Sequence, residues 1–475
     1  MENNSNSLIV MKFGGSCLQD KDSFNQILYI VKKYSKKSKI LLVTSALQKI
    51  TDKLIEFYSS ACNEDPDCDL IINDIYNIHE QLINQIFTKI KKEYARSIEF
   101  LKKNINELRQ ISHVIRLIRP SMDIRDLILS YGERLSTFIL AQYFNSLEFK
   151  TKYLSSDELI ITDDNFGRAF PILEESEPLI TEKIAPLFKT DTYNIVCVTG
   201  FYGSTKDKKV TTFGRGGSDL TAAILAYCLR NLFKCKVIYW KDVKGFLDAD
   251  PRIAEKTSLL RNISYIEAKE LAFFGTKVLH PLCLDVNEKG NILSEIRCFD
   301  EPDSEEYTEI TKEVIKDDKV IKAVTTIYEL SMVTVESDMM VPLSGTASKL
   351  FSLLGDNYIN IVFISQSSSE NNITFGINFE DSKKVSFLLR NSELFGKKWF
   401  RIKIDNDISL VAVIGAGVLH TSGIAGKVFT TLGNNNINIL AIAQGSSELN
   451  FTAIIERKNC KKAVNVLYDA FINQN

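Results

Sequence analysis

Lys12-Phe13-Gly14-Gly15-Ser16 places two glycines where an apolar run ends and a helical pattern begins. Glycines let backbone approach a phosphate closely, a helix N-terminus offers free N–H groups, and Lys12 adds a point charge. The spacing GxxxxGK[ST] is absent, and such a turn taken alone is more often structural than functional. Thr212–Ala222 (TFGRGGSDLTA) is sharper. Arg215 can clamp a carboxylate through two parallel hydrogen bonds. Gly214, Gly216 and Gly217 permit tight geometry around a ligand, and Ser218 and Asp219 open an apolar helix at cap-like positions. The competing reading, a plain capped helix with a solvated Arg215, explains less of the pattern.

Other candidates are weaker singly. Glu133 in SYGERLS sits at a turn into an apolar helix, where an acid can simply complement the helix dipole. Ser45 and Thr51 in SALQKIT follow a strand, as capping residues also do. WKDVKGFLDADPR carries Asp242, Asp248 and Asp250 in a turn-rich loop, without the spacing of a calcium loop. Lys277 follows a helix in FFGTKVLHP, and His280 before a proline reads as structural.

The elements that must position these groups alternate strand and helix. Leu8–Phe13, Lys39–Thr44, Ile195–Thr199 and Lys236–Trp240 are short apolar runs separated by helical patterns, the signature of parallel βα units. Residues 63–125 read as a polar helical excursion. Farther on, Ser344–Ile377 aligns without a gap to Ser422–Ile455, offset by 78 residues, with 19 of 34 positions identical. One module is therefore present twice. Each copy reads strand, Gly-started helix, strand, turn, strand, helix. The first copy has an extra strand at Trp399–Ile404 and the second lacks one. The spare strand Val320–Ile327 is expected to complete the second copy's sheet and interlock the pair. The expected division is a catalytic domain at 1–305, a linker at 306–319, a first module at 320–405 and a second at 406–475.

A net charge of −2 excludes a strongly basic nucleic-acid binder. No run of about 18 apolar residues predicts a membrane span, and the start lacks a secretory pattern. The nine cysteines show no CxxC pair, which speaks against a zinc site or a disulfide framework. A cytoplasmic location with reduced thiols is the expectation.

Taken together and in order, KFGGS, SALQKIT, SYGERLS, TGFYG (199–203), TTFGRGGSD, WKDVKGF with ADPR, and SYIEAKELAFFGTKVLHP resemble the successive signatures of aspartate kinases. The resemblance covers essentially the whole chain; the set is specific although single motifs are not. It implies an α/β amino-acid-kinase three-layer αβα sandwich followed by two interlocked ACT (βαββαβ) modules. It also implies transfer of the γ-phosphoryl of MgATP to the β-carboxylate of L-aspartate. By this resemblance Lys12, Gly14, Gly15, Ser16 and Lys277 serve the phosphates, and Asp242 and Arg252 the nucleotide. Ser45, Thr51, Glu133, Phe201, Arg215, Ser218 and Asp219 hold aspartate. Lys12, Lys277 and Asp219 are the expected catalytic residues, with Mg²⁺ bound mainly through the nucleotide and no protein metal site. Arg215 suits the substrate α-carboxylate and Glu133 its α-ammonium; Asp219 orients a lysine or receives that ammonium, and the sequence leaves both open.

The repeat segments look most like threonine-sensitive forms. Gln366 and Gln444, equivalent in the repeat, are expected to contact the effector, threonine first and lysine second; a buried amide tying strands is the alternative. No GxGxxG signature appears, so a monofunctional enzyme is expected, assembled as a homodimer or dimer of dimers through the ACT modules. Lys241 stands where many members have Thr or Ser, Leu247 where some have Tyr, Cys298-Phe299 where Lys-Asn is usual, and Tyr307-Thr308 where Gly-Thr is usual. A kinase of another carboxylate and a catalytically dead amino-acid sensor are the competing readings. Retention of Lys12, Lys277, Arg215 and Asp219 argues against the sensor.

Overall fold

Residues 6–65, 67–117, 120–190, 192–274, 278–313, 320–337, 345–366, 372–418, 421–444 and 449–473 are described by the computed structural model. They form two units. The first comprises Met1–Phe246, Arg261–Tyr265 and Lys277–Val314; the second comprises Leu247–Leu260, Ile266–Thr276 and Ile315–Asn475.

The strands of the first unit are β1 (Ser7–Phe13), β2 (Lys39–Thr44), β3 (Thr151–Leu154), β4 (Ile195–Thr199), β5 (Tyr202–Ser204) and β6 (Val210–Thr212). They continue with β7 (Lys234–Lys241), β8 (Asn262–Ser264), β9 (Leu293–Cys298) and β10 (Thr308–Thr311). Eight of them form one sheet in the order β3-β4-β2-β1-β7-β9-β10-β8, while β5 and β6 make a separate ribbon. From β3 to β9 every pairing is parallel; β10 runs antiparallel to β9. β10 lies in the stretch expected from sequence to be the linker. Its alternation of buried Thr308 and Ile310 with half-exposed Glu309 and Thr311 is what lets so polar a tetrapeptide join a sheet.

The helices are α1 (Lys21–Tyr34), α2 (Ile50–Cys62), α3 (Cys68–Ile86), α4 (Lys92–Leu117), α5 (Met122–Ser146), α6 (Leu173–Lys189), α7 (Gly217–Leu229), α8 (Tyr265–Phe273) and α9 (Pro281–Lys289). Side chains alternate across a strand, and the alternation along β1 decides what each face does. Ile9, Met11 and Phe13 enter a core with Ile27, Ile50, Leu54, Leu135 and Ile139 from α1, α2 and α5. Leu8, Val10 and Lys12 point the other way, where α7, buried along its whole length, packs on β1, β2 and β7. The result is three layers, helices on both faces of the sheet.

In the second unit β11 (Ala323–Ser337), β12 (Ile361–Gln366), β13 (Asn372–Asn378), β14 (Phe400–Ile414), β15 (Ile439–Ala443) and β16 (Asn450–Glu456) form an antiparallel sheet in the order β12-β13-β11-β14-β16-β15. Helices α10 (Thr346–Asp356) and α11 (Ser382–Asn391) bury Leu350, Leu354, Val385 and Leu389 with Phe375. Helices α12 (Ile424–Asn434) and α13 (Cys460–Phe471) bury Val428, Leu432, Val464 and Leu467 with Phe451. Each long strand serves both halves. Leu330–Glu336 pairs with β13, and Ala323–Ile327 pairs with Ile414–Leu410 of β14, which in turn pairs with β16. Segments 247–260 and 266–274 are anchored inside this unit. The Asp248 carboxylate accepts from Ser258 N (2.7 Å) and the Tyr468 hydroxyl (3.0 Å), and buried Glu267 pairs with Lys322 at 3.4 Å.

Candidate active site

The first unit brings its chemistry together at the C-terminal ends of β1, β2, β4 and β7, where ligands of open α/β sheets gather. The register aligns Lys12 with Tyr239 and Phe13 with Trp240, so Lys12 and Lys241 project on the same side, toward the first turn of α7. There Asp219 divides its carboxylate between them. Lys12 Nζ lies 2.7 Å from Oδ1 and Lys241 Nζ donates to Oδ2 at 2.8 Å. The side chains of Lys12, Asp219 and Lys241 are 8%, 4% and 17% exposed. Burial pushes the Lys12 ammonium below its usual range, only partly opposed by Asp219. Burial alone would raise the Asp219 carboxyl, but the two ammonium groups hold it below the ordinary carboxylate value; Asp219 in turn lifts Lys241 above its own.

The backbone around this triad is tight. At Gly14 an added Cβ would sit 3.3 Å from Lys12 Nζ, and at Gly15 3.3 Å from Ala46 O. At Gly200 it would strike Ser218 Cβ at 2.6 Å, so a glycine is what allows the Ser45 hydroxyl to reach Ser218 Oγ at 3.0 Å. Phe201 holds a left-handed backbone (φ 78°), pinned by its N–H to Thr221 Oγ1 at 3.1 Å. Strain of this kind, about 1–3 kcal/mol, persists where the surroundings over-determine it. Gly216 caps α7 at φ 78°, and a Cβ there would lie 2.6 Å from His280 Cβ. Gly216→Ala is therefore expected to shift the first turn of α7 and to cut the kcat of a reaction carried out at this site about 100-fold. A melting temperature within a degree of wild type together with unchanged kcat would show that this turn does not need its present position.

Glu133 corrects the sequence reading in one respect: it lies within α5, not at a turn. Gly132 does not break the helix; it lets α5 approach Ala46, whose Cβ would be 2.7 Å from any side chain there. That approach delivers the Glu133 carboxylate to Ala46 N–H, which donates to Oε1 at 3.0 Å. Oε2 is buried and has no partner among the described residues. Burial pushes this carboxyl up to about 8, and a buried acceptor without a donor is costly to keep.

The other expected residues are distributed unevenly. Thr51 is half-buried in the first turn of α2, Ser16 and Asp242 are exposed, and Arg215 is exposed with no ion pair to a described residue. Arg252 belongs to the second unit and is tied to Asp250 at 2.7 Å. Lys277 lies outside the described residues. Gln366 ends β12 and Gln444 follows β15; both are exposed. His280 accepts from Leu282 N at 3.3 Å and caps α9, a structural role. Sequence reasoning missed two residues. Lys241 was noted only as a departure, although its strand parity with Lys12 was there to be read. Asp126, fully buried, accepts from Thr212 N and Gly167 N, each at 2.7 Å, and from the Thr212 hydroxyl at 2.9 Å, fixing the strand that leads into Gly214 and Arg215. A lone acid in a mixed helix gave no signal.

The sequence model of the amino acid kinase family matches residues 7–298. The chain belongs to the amino acid kinase family. The ACT domain model matches 333–390 and 411–471, the two halves of the second unit. It is 31% identical over 476 residues to a bifunctional aspartokinase/homoserine dehydrogenase of Buchnera aphidicola, covering 98% of this chain and 57% of that protein. It is also 29% identical to aspartokinase 3, chloroplastic, of Arabidopsis thaliana, covering 97% and 81%. The chain thus spans little more than half the length of the bifunctional relatives. Among solved structures, E. coli aspartokinase III in complex with aspartate and ADP superposes with a TM-score of 0.80 at 24% identity, over 98% of this chain and 99% of the other. Clostridium acetobutylicum aspartate kinase gives 0.76 at 26%, over 99% and 100%. No described helix is long and apolar enough to cross a membrane.

Proposed function

We propose that this amino acid kinase is an aspartate kinase, transferring the γ-phosphoryl of MgATP to the β-carboxylate of L-aspartate to give 4-phospho-L-aspartate, the entry to lysine- and threonine-type amino-acid synthesis. The observation that carries the reading is the buried Oε2 of Glu133, which has no partner among the described residues, in the same unit as the Lys12–Asp219 pair and close enough to feel the Lys12 charge. An acceptor of this kind asks for a cation, and a substrate ammonium supplies it beside a site built for anions. Arg215, exposed and free of ion pairs with described residues, then suits the α-carboxylate. Ser45 and Ser218, already hydrogen-bonded to each other, face the same region from β2 and α7.

The acceptor carboxylate is ionised at neutral pH, so no general base is required. Catalysis rests on positioning and on neutralising charge on the transferred group. Lys12 supplies the nearest charge, the Gly14-Gly15 turn brings N–H groups to the phosphates, and Asp219 is a positioning residue that aims the lysines. Asp219 is engaged by two ammonium groups and no cluster of three metal-ligating side chains occurs among the described residues. Mg²⁺ carried on the nucleotide would screen the phosphate oxygens. As a functional partition along the sequence we keep 1–305, 306–319, 320–405 and 406–475, although β10 of the 306–319 stretch joins the sheet of the first unit and segments before residue 277 belong to the second; the ACT pair senses threonine first and lysine second through Gln366 and Gln444. The terminal strands β12 and β15 of the sheet, with exposed Ile364 and Ile442, favour assembly as a homodimer or dimer of dimers, and nine free thiols suit the cytoplasm.

The test is ADP release with trapping of the acyl phosphate by hydroxylamine. Hydroxamate from L-aspartate and not L-glutamate, suppressed by threonine, is the expected result. Suppression by lysine alone would replace the effector. A folded, ADP-binding preparation that yields no hydroxamate would leave the amino-acid sensor as the better reading.

A further inference from the structure

The mechanism just given names a charge for Lys12 to meet and none for Lys241, yet Lys241 reaches the same carboxylate. A lysine whose only purpose was to neutralise Asp219 would be superfluous, because Lys12 already does so at 2.7 Å. Two ammonium groups on one carboxylate leave an excess positive charge among side chains that are 4–17% exposed. Among the described residues, the neighbouring groups do not cancel it. Burial raises the thiols of Cys17 and Cys283 and keeps them neutral, and it holds Glu133 up to about 8. Burying a charge without its counter-charge is expensive. Such an excess is retained where an anion is going to arrive.

The position of Lys241 says which part of that anion it meets. Across the sheet the order is β4, β2, β1, β7. Ser45, Ala46 and Gly200 follow β2 and β4, so the groups assigned to the acceptor lie to one side of Lys12. Lys241 closes β7 on the opposite side and runs directly into Asp242. It is one residue past the Phe13–Trp240 pair, level with the Gly14-Gly15 turn. Its flexible four-carbon stem lets the ammonium leave Oδ2 of Asp219 without moving the strand.

We infer that Lys241 binds the leaving-group side of the nucleotide: its ammonium passes from Asp219 to the β-phosphate when a nucleoside triphosphate enters. This rests on the kinase reading above. In the transfer the acceptor carboxylate oxygen forms a bond to the γ-phosphorus while the bond from that phosphorus to the β,γ-bridging oxygen breaks. The electron pair of the broken bond stays on the bridging oxygen, which becomes a terminal oxygen of the diphosphate, and no proton moves. Charge therefore grows on the β-phosphate, and Lys241 meets it there while Lys12 attends the transferred group.

The experiment compares Lys241→Met and Lys241→Arg in the full chain by calorimetry with MgADP and with AMP, alongside steady-state kinetics. In K241M, ADP affinity is expected to fall about tenfold with AMP unchanged, kcat about 100-fold, and KM for aspartate not at all. K241R recovers most of the ADP affinity. ADP and AMP weakened equally, or neither weakened, overturns the proposal and leaves Lys241 a structural partner of Asp219. Should K241M melt early, Lys241→Gln carries the same comparison. If the wild-type chain prefers ADP to AMP but makes no hydroxamate from aspartate, the kinase reading falls, while the ADP/AMP comparison still decides the role of Lys241.

Discussion

In an Asp219→Asn variant kcat falls about a thousandfold while the nucleotide still binds. Asparagine keeps the shape of the side chain but removes the charge that holds Lys12 and Lys241 apart and aimed. Two buried ammonium groups then face each other without a counter-ion, and each is displaced from the place where charge develops. Binding of a triphosphate suffers less than turnover, because the cations themselves remain. Removing one member of a buried ion pair also costs about 3–5 kcal/mol of stability, so the melting temperature of the empty protein drops and added MgATP restores much of it. Steady-state kinetics and thermal melting with and without nucleotide measure both effects. A variant with wild-type kcat, or one whose melting is insensitive to the loss, would sink the role given to Asp219.

Glu133→Gln gives the second large effect, and its sign depends on pH. With its carboxyl pushed up to about 8 by burial, Glu133 is mostly protonated in the empty site at neutral pH. A substrate ammonium needs the ionised form, so kcat/KM for aspartate should rise about tenfold per pH unit up to roughly pH 8 and level above it. Glutamine should flatten that profile and lower the plateau about 100-fold, the loss of one charge-assisted hydrogen bond. Stability moves the opposite way. The folded protein holds this proton more tightly than the unfolded chain between the ordinary carboxyl value of 4.5 and about 8, so wild-type stability declines as pH rises through that window. The substituted amide cannot ionise; the variant should melt above wild type at pH 8, by on the order of 4 kcal/mol, with the gap closing toward pH 5. A wild-type kcat/KM that does not change between pH 6 and 8 would contradict the assignment.

What the sequence disclosed was whatever is written in neighbouring residues. The glycines after β1 and before α7, the apolar runs that became β1, β2, β4 and β7, and the 78-residue repeat are all local patterns. What it concealed depends on distant packing. Glu133 looked like a turn residue because a glycine precedes it; only the approach of Ala46 shows why that glycine sits inside a helix. Lys241 gained its meaning from the register between β7 and β1, pairing residues more than two hundred positions apart. WKDVKGFLDADPR reads as one motif, yet the chain changes units after Phe246, and Asp248 spends its carboxylate on Ser258 and Tyr468. Short-range periodicity carries no information about which compact unit will claim a loop.

The two fifteen-residue strands at the centre of the second unit bear on how such a duplicated segment is inherited. Because β11 and β14 each lend half their length to either copy, neither copy owns a complete set of strands. A stop codon or proteolytic nick between residues 391 and 400 would strand both products with open sheets, and deletion of one repeat would not restore the ancestral single module. The pair can therefore be kept or lost only as a whole, which leaves each copy free to drift in the residues it presents to a ligand while the exchange of strands preserves the fold of both.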